Sequence, residues 1–313
     1  MRIAVVGPGA LGCLFATRLF SAAEHDAIML VDHRPQRAEL LNKQGIIYES
    51  KDGTETFPIP VLHDPSTIPA VDIIFSCVKS YDLQQSLRFL QPLLTPTTLL
   101  IFLQNGISHL QHNDRVRLGG TPVFATSSEG ATRLATGHIR HAGSGHTTLG
   151  FLSKQTKQAT TQLRQLLPLL QKGDLASSIT EEIHAKMWAK LFVNVGINGL
   201  TAIEDCRNGK LLESNRTRDR LATLVREAEA VANAQDITIF EDPVQATLAV
   251  CEKTSMNISS MLQDIRNQRP TEIESINGAV SYIGKQLNIA TPENDRLIDK
   301  IRKIESLAGP TPR

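Results

Sequence analysis

The first thirty-two residues leave few folds open to this chain. Met1–Val6 is a short apolar run of strand type, followed by Gly7-Pro8-Gly9-Ala10-Leu11-Gly12, a GxGxxG. An amphipathic stretch then leads to a second apolar run, Ala27–Val31, closed by Asp32. The order strand, glycine turn, helix, strand, acid is that of a dinucleotide-binding βαβ unit. Gly7 permits the tight turn, Gly9 lets backbone approach a pyrophosphate, and Gly12 lets the helix lie close to the strand. The helix start, at Ala10 and Leu11 just after Pro8, offers free N–H groups and a positive dipole end to phosphate. A glycine turn that merely joins a strand to a helix is the plainer reading. The acid falling twenty residues after Gly12, on a complete βαβ pattern, disfavours it.

The alternation continues. Thr56–Leu62, Val71–Val78 and Thr98–Gln104 read as strands, with a polar helix from Asp82. Continuous apolar strands alternating with helices indicate a parallel sheet covered on both faces, a Rossmann-type doubly wound α/β domain. From Pro122 to Gly150, glycines punctuate short Thr/His/Ile segments, which reads as an antiparallel meander closing the first domain. Lys154–Lys172 reads as a helix and Asp174–Ile179 as a strand. After Thr180 the pattern is helical only. Helix starts are expected at Thr180-Glu-Glu, at a capping box of Thr271 with Glu274, and at Thr291-Pro292. We therefore expect a dinucleotide-binding domain at 1–178 and an all-α domain at 179–313. A chain of 313 residues suits two such domains.

The formal net charge of +1 and the lack of any basic run argue against nucleic acid. No apolar stretch reaches membrane-spanning length. The first apolar run is too short and glycine-interrupted for a signal peptide and is better read as a strand. Cys13, Cys77, Cys206 and Cys251 form no CxxC, so reduced thiols and a cytoplasmic protein are expected. His138, His141 and His146 cluster in sequence, but alternation in hairpins would scatter them over two faces, so no metal site is expected.

The second informative segment is Met187–Gly199. It is apolar nearly all round, as a buried helix requires, yet Lys190, Asn194 and Asn198 recur at i, i+4 and i+8. A cation and two amides on one stripe suit a small carboxylate or carbonyl substrate; a solvent-facing helix edge is the plainer alternative. Asn105 follows a buried strand, where ligands of open parallel sheets bind. Lys79 follows another, and could meet cofactor phosphate or adenine. Ser259, Ser260 and Glu272 sit at helix starts, where capping and dipole effects are a sufficient explanation.

Taken together these segments resemble the ketopantoate reductase (2-dehydropantoate 2-reductase) family over nearly the whole chain. The resemblance rests on the glycine motif, Gln-Asn105-Gly, Trp-Ala-Lys190-Leu-Phe-Val-Asn194-Val-Gly-Ile-Asn198-Gly, Cys-Arg-Asn208-Gly, Asn-Ile-Ser-Ser260-Met-Leu-Gln-Asp and Thr-Glu272-Ile-Glu-Ser-Ile-Asn-Gly. It implies NADPH-dependent reduction of the ketone of 2-dehydropantoate, a step toward pantothenate and coenzyme A. It implies Lys190 as proton donor and Asn194, Asn198, Asn208 and Ser260 as holders of the substrate. It implies Asn105 beside the nicotinamide ribose and substrate, Glu272 at the cofactor–substrate junction, and Ala131 as a cofactor contact. The chain departs from the family in two places. Gly199 stands where a proline is common, which is expected to loosen the helix end. Asp32-His33-Arg34 stands where a basic residue reads the NADP 2′-phosphate. Asp32 suits the free ribose of NAD; Arg34 suits the phosphate of NADP.

Two further readings stay open here: an NAD-dependent reductase of another branched 2-oxo acid, and a nonenzymatic dinucleotide-sensing module, against which the second-domain residues argue. The helical domain could form a homodimer, or the chain could act as a monomer.

Overall fold

The computed structural model describes residues 1–24, 27–112 and 119–307. In chain order its regular elements begin with β1 (Ile3–Val6), α1 (Ala10–Ala22), β2 (Ile28–Val31), α2 (Pro35–Gln44), β3 (Ile46–Ser50), β4 (Gly53–Phe57), β5 (Val61–Leu62) and β6 (Ile73–Ser76). They continue with α3 (Leu83–Leu90), β7 (Leu99–Phe102), α4 (Ser108–His112), β8 (Thr121–Ser127), β9 (Gly130–Ala135), β10 (His138–Gly143), β11 (Thr147–Gly150), α5 (Lys157–Lys172) and β12 (Ser177–Ile179). The remainder is helical: α6 (Ile183–Ile203), α7 (Asn215–Asn233), α8 (Pro243–Lys253), α9 (Ser260–Arg266), α10 (Asn277–Gln286) and α11 (Pro292–Leu307).

These elements form two compact units. The first is Met1–Gln104 with Asn113–Ile183; the second is Asn105–His112 with His184–Arg313. The expected boundary at 178/179 thus falls inside β12, and the short segment after β7 joins the helical unit.

In the first unit an eight-stranded sheet has the order β12-β11-β8-β7-β6-β1-β2-β5. β5, β2, β1, β6, β7 and β8 run parallel; only β11 against β8 is antiparallel. Strands β1, β2, β6 and β7 are buried along their whole length, as an unbroken apolar sequence between two covered faces requires. α1 drives Leu14, Phe15, Leu19 and Phe20 into this core, and the Phe15 ring lies 5.5 Å from that of Phe75. Burying each such side chain is worth roughly 1.5–3 kcal/mol.

The stretch from Pro122 to Gly150 is not one meander. β8 and β11 extend the large sheet, whereas β9 and β10 form a hairpin in a second, four-stranded sheet of order β4-β3-β10-β9 that packs against α1. The period-2 pattern is the same in both sheets and cannot assign a strand to either. The three histidines part company: His138 bonds Glu49, His141 bonds Glu129 and Tyr48, and His146 bonds Ser178.

In the second unit α6 is the central helix. A Cβ on Gly196 would come within 2.9 Å of Val225 and Thr247, and one on Gly199 within 2.6 Å of Leu297. Gly199 does not loosen the helix end: α6 runs on unbroken to Ile203, and the missing side chain makes room for Leu297 of α11. Glu227 caps α11 by accepting the N–H groups of Glu293 and Asn294. Two expected helix starts are displaced. α6 begins at Ile183, after the acids of Thr180-Glu-Glu. The Thr271–Glu274 capping box does not form: Thr271 Oγ1 accepts from Ile273, Glu274 is drawn to Arg302, and the helix starts only at Asn277. No described helix is long and apolar enough to cross a membrane.

The glycine loop is the tightest point of the first unit. Gly7 has φ +91°, and a Cβ there would lie 2.8 Å from Val78. A Cβ on Gly12 would lie 2.1 Å from the Gly7 carbonyl oxygen, so helix and turn touch backbone to backbone. Gly12→Ala should therefore destabilise the protein by about 1–3 kcal/mol despite alanine's better helix propensity, seen as a lower Tm in calorimetry.

Candidate active site

The loop and helix start of the first unit are shaped for an anion. Gly9 is the N-cap of α1 with no side-chain cap, and the first turn carries no acid. A Cβ at Gly9 would meet nothing within 4 Å, so the space above the helix N-terminus is open. Free N–H groups at a helix start with open space above them fit a pyrophosphate. Lys79, half-buried, directly follows the Val78 that closes over Gly7. Gln104 at the end of β7 ties this rim together, its Nε2 donating to the Ser76 and Val78 carbonyls. Ala131 sits on β9, an edge strand that packs against α1.

At the end of β2, Asp32 is enclosed, and the reason is a residue that the sequence reading passed over. Arg37, in the first turn of α2, engages both carboxylate oxygens: Nε donates to Oδ2, and Nη2 to Oδ1 at 2.7 Å. The Arg34 backbone N–H donates to Oδ1 at 3.2 Å. Arg34 itself is the N-cap of α2.

In the second unit, Lys190, Asn105 and Glu272 form a chain of hydrogen bonds. Lys190 Nζ donates to Asn105 Oδ1 at 3.0 Å, and Asn105 Nδ2 donates to Glu272 Oε2 at 3.1 Å. Local backbone makes this meeting possible. Gly106 has φ +79°, a Cβ there would lie 1.9 Å from the Ser275 carbonyl oxygen, and the Ile107 N–H donates to that same carbonyl at 3.0 Å. The segment after Asn105 is thus clamped three residues from Glu272. Burial lowers the Lys190 pKa from 10.5 to about 8, against the opposing pull of the Glu272 carboxylate.

Asn194 and Asn198 continue the Lys190 stripe along α6, and Asn198 is only 7% exposed. Among the described residues neither amide has a protein hydrogen-bond partner. Neither amide is among the polar groups sealed away without a partner, so both stay open to water or to a polar ligand. Beyond them Thr201 Oγ1 donates to Ser259 Oγ at 2.7 Å, which ties α6 to the start of α9. Ser259 is the cap, accepting from Leu262, and leaves Ser260 exposed in the first turn. Asn208 joins the same region: its N–H donates to the Asn257 carbonyl, and its Nδ2 to Thr254. Ser259 is the cap that its place at a helix start suggests, but its pairing with Thr201 spans 58 residues and carries no signal in the sequence.

The stretches 3–154 and 182–305 match the family models "Ketopantoate reductase PanE/ApbA" and "Ketopantoate reductase PanE/ApbA C terminal". The chain belongs to the ketopantoate reductase family. It is 32% identical to a 2-dehydropantoate 2-reductase of Halobacterium salinarum, over 96% of this chain and 98% of the relative. It is 29% identical to that of Vibrio cholerae, over 97% and 98%. Among solved structures it resembles a PanE/ApbA family ketopantoate reductase from Ralstonia eutropha, with TM-score 0.87 and 25% identity over 98% of this chain and 99% of that one. It also resembles D-mandelate dehydrogenase in a ternary structure with NADH and anilino(oxo)acetate, with TM-score 0.89 and 26% identity over 99% and 100%.

Gly106→Ala should strain the backbone and push Asn105 off Glu272. The expected result is a clear drop in Tm, larger than that of Gly53→Ala, where a Cβ meets nothing although φ is also positive.

Proposed function

We propose that this protein reduces 2-dehydropantoate to pantoate, with NADPH as cofactor and Lys190 as proton donor, in the cytoplasm. The activity follows the family; the observation that carries the residue assignment is the Lys190–Asn105–Glu272 chain. We assign residues 1–178 to the cofactor and 179–313 to substrate and proton transfer. Gly7–Gly12, Arg34, Lys79 and Ala131 are assigned to contact the cofactor, with Asn105 and Glu272 meeting both cofactor and substrate. When bound, the nicotinamide supplies the hydride.

The chain's own residues do the rest. As hydride reaches the C2 carbonyl carbon, negative charge gathers on its oxygen. The Lys190 ammonium stabilises that charge and delivers the proton from Nζ. Asn105 orients the ammonium through Oδ1, and Glu272 fixes the Asn105 amide so that its oxygen faces the lysine. Asn194, Asn198, Asn208 and Ser260 bind the substrate's carboxylate and hydroxyl groups.

A second reading has a specific observation behind it. The similarity to a D-mandelate dehydrogenase bound to NADH favours an NADH-dependent reductase of another branched 2-oxo acid. Steady-state oxidation of NADPH and NADH with 2-dehydropantoate, then with a 2-oxo acid panel, separates the two.

Lys190→Ala should lower kcat by about 10²–10⁴-fold while cofactor binding stays intact. Unchanged turnover would remove Lys190 from the mechanism. The acid must carry its proton, so kcat should fall as pH rises through about 8. Glu272 raises the lysine pKa, so in Glu272→Gln this limb should move to lower pH. A limb that stays in place, or moves upward, contradicts the assignment.

A further inference from the structure

The Asp32–Arg37 pair changes what an acid at the end of the second strand can do. A carboxylate there can grip a ribose diol only if its lone pairs are open. Here they are not. Arg37 closes over both oxygens as a fork, the Arg34 N–H takes a further position on Oδ1, and the Asp32 side chain has no exposed surface. His33 Nδ1 stands 3.9 Å from Oδ1 and adds no negative charge. The Asp32 and Arg37 charges cancel. Arg34 has no carboxylate partner among the described residues, so its charge is not spent on an acid there. The Arg37 side chain remains 23% exposed, and a guanidinium carries more N–H donors than this pairing uses.

We propose that Arg37 is the residue that sets cofactor specificity: it takes Asp32 out of use as a ribose acceptor and, with Arg34, presents donors to an adenosine 2′-phosphate. Asp32 is then a positioning residue that holds the fork, not a reader of the cofactor. This inference rests on the NADPH reading for its direction, but the role of Arg37 can be measured without it. The sequence alone pairs the acid with its immediate neighbour Arg34. The first turn of α2 is what returns Arg37 to the carboxylate.

The test is equilibrium binding of NADPH and of NADH to the purified full-length protein, followed by nucleotide fluorescence, with no turnover involved. In Arg37→Ala, NADPH should bind about tenfold more weakly or worse, the cost of a lost charged hydrogen bond, and NADH more tightly as Asp32 opens. In Asp32→Asn, NADH binding should not weaken. In the double variant Arg37→Ala/Asp32→Asn, the gain in NADH affinity should disappear. Arg37→Lys, which keeps the charge but loses the fork, should fall between wild type and Arg37→Ala, and it serves if the alanine variant does not fold. Equal weakening of both nucleotides in Arg37→Ala, or no change in either, overturns the proposal. Loss of NADH binding in Asp32→Asn also overturns it, since the acid would then be reading ribose directly. A wild-type preference for NADH would instead defeat the NADPH reading. The Arg37 role survives that result if Arg37→Ala still shifts the ratio of the two affinities toward NADH.

Discussion

One amide holds the candidate chemistry of this protein in place. Asn105 accepts from the Lys190 ammonium and donates to the buried Glu272 carboxylate, so a single side chain bridges a cation and an anion. A buried charge is tolerated only when it is hydrogen-bonded, and an asparagine can serve both partners only in one orientation. That orientation depends on where its backbone stands, and this in turn depends on Gly106 lying against the Ser275 carbonyl. The proton-donor assignment for Lys190 therefore rests on a backbone contact made by a residue with no side chain.

Much of this was legible in the sequence wherever a requirement is local. The glycine motif could be read residue by residue, because a tight turn and a close helix approach each demand a missing Cβ at a fixed position. The polar stripe of Lys190, Asn194 and Asn198 could be read from helical periodicity, since the helix repeat alone puts them on one face. Lys190 and Asn105, by contrast, are 85 residues apart, and no pattern in either segment announces the other.

The misreadings have the same root. The Thr271–Glu274 capping box is a sound local signal, but Arg302 from a distant helix claims the glutamate and the chain makes a turn instead. The hairpin of β9 and β10 has the alternation expected of a strand pair, yet nothing in it says which sheet it will join. Arg37 has no signal at the strand end itself, because it is a helix turn that returns a more distant residue to the same carboxylate. In each case local preference was real and a partner from elsewhere in the fold decided the outcome.

The helical unit carries four asparagines that directly precede glycine: Asn105, Asn198, Asn208 and Asn277. Asparagine is a chemically perishable side chain, and a following glycine offers least obstruction to the backbone nitrogen that attacks the amide to close a ring. In the folded protein each is restrained. Asn105 is bonded at both amide atoms, Asn198 lies inside an unbroken helix, Asn208 is tied to Thr254, and Asn277 donates to Val195 and Asn294. The fold thus sets the chemical lifetime of its own amides. Ageing of the unfolded chain would strike the residues assigned to substrate before it touched the sheet.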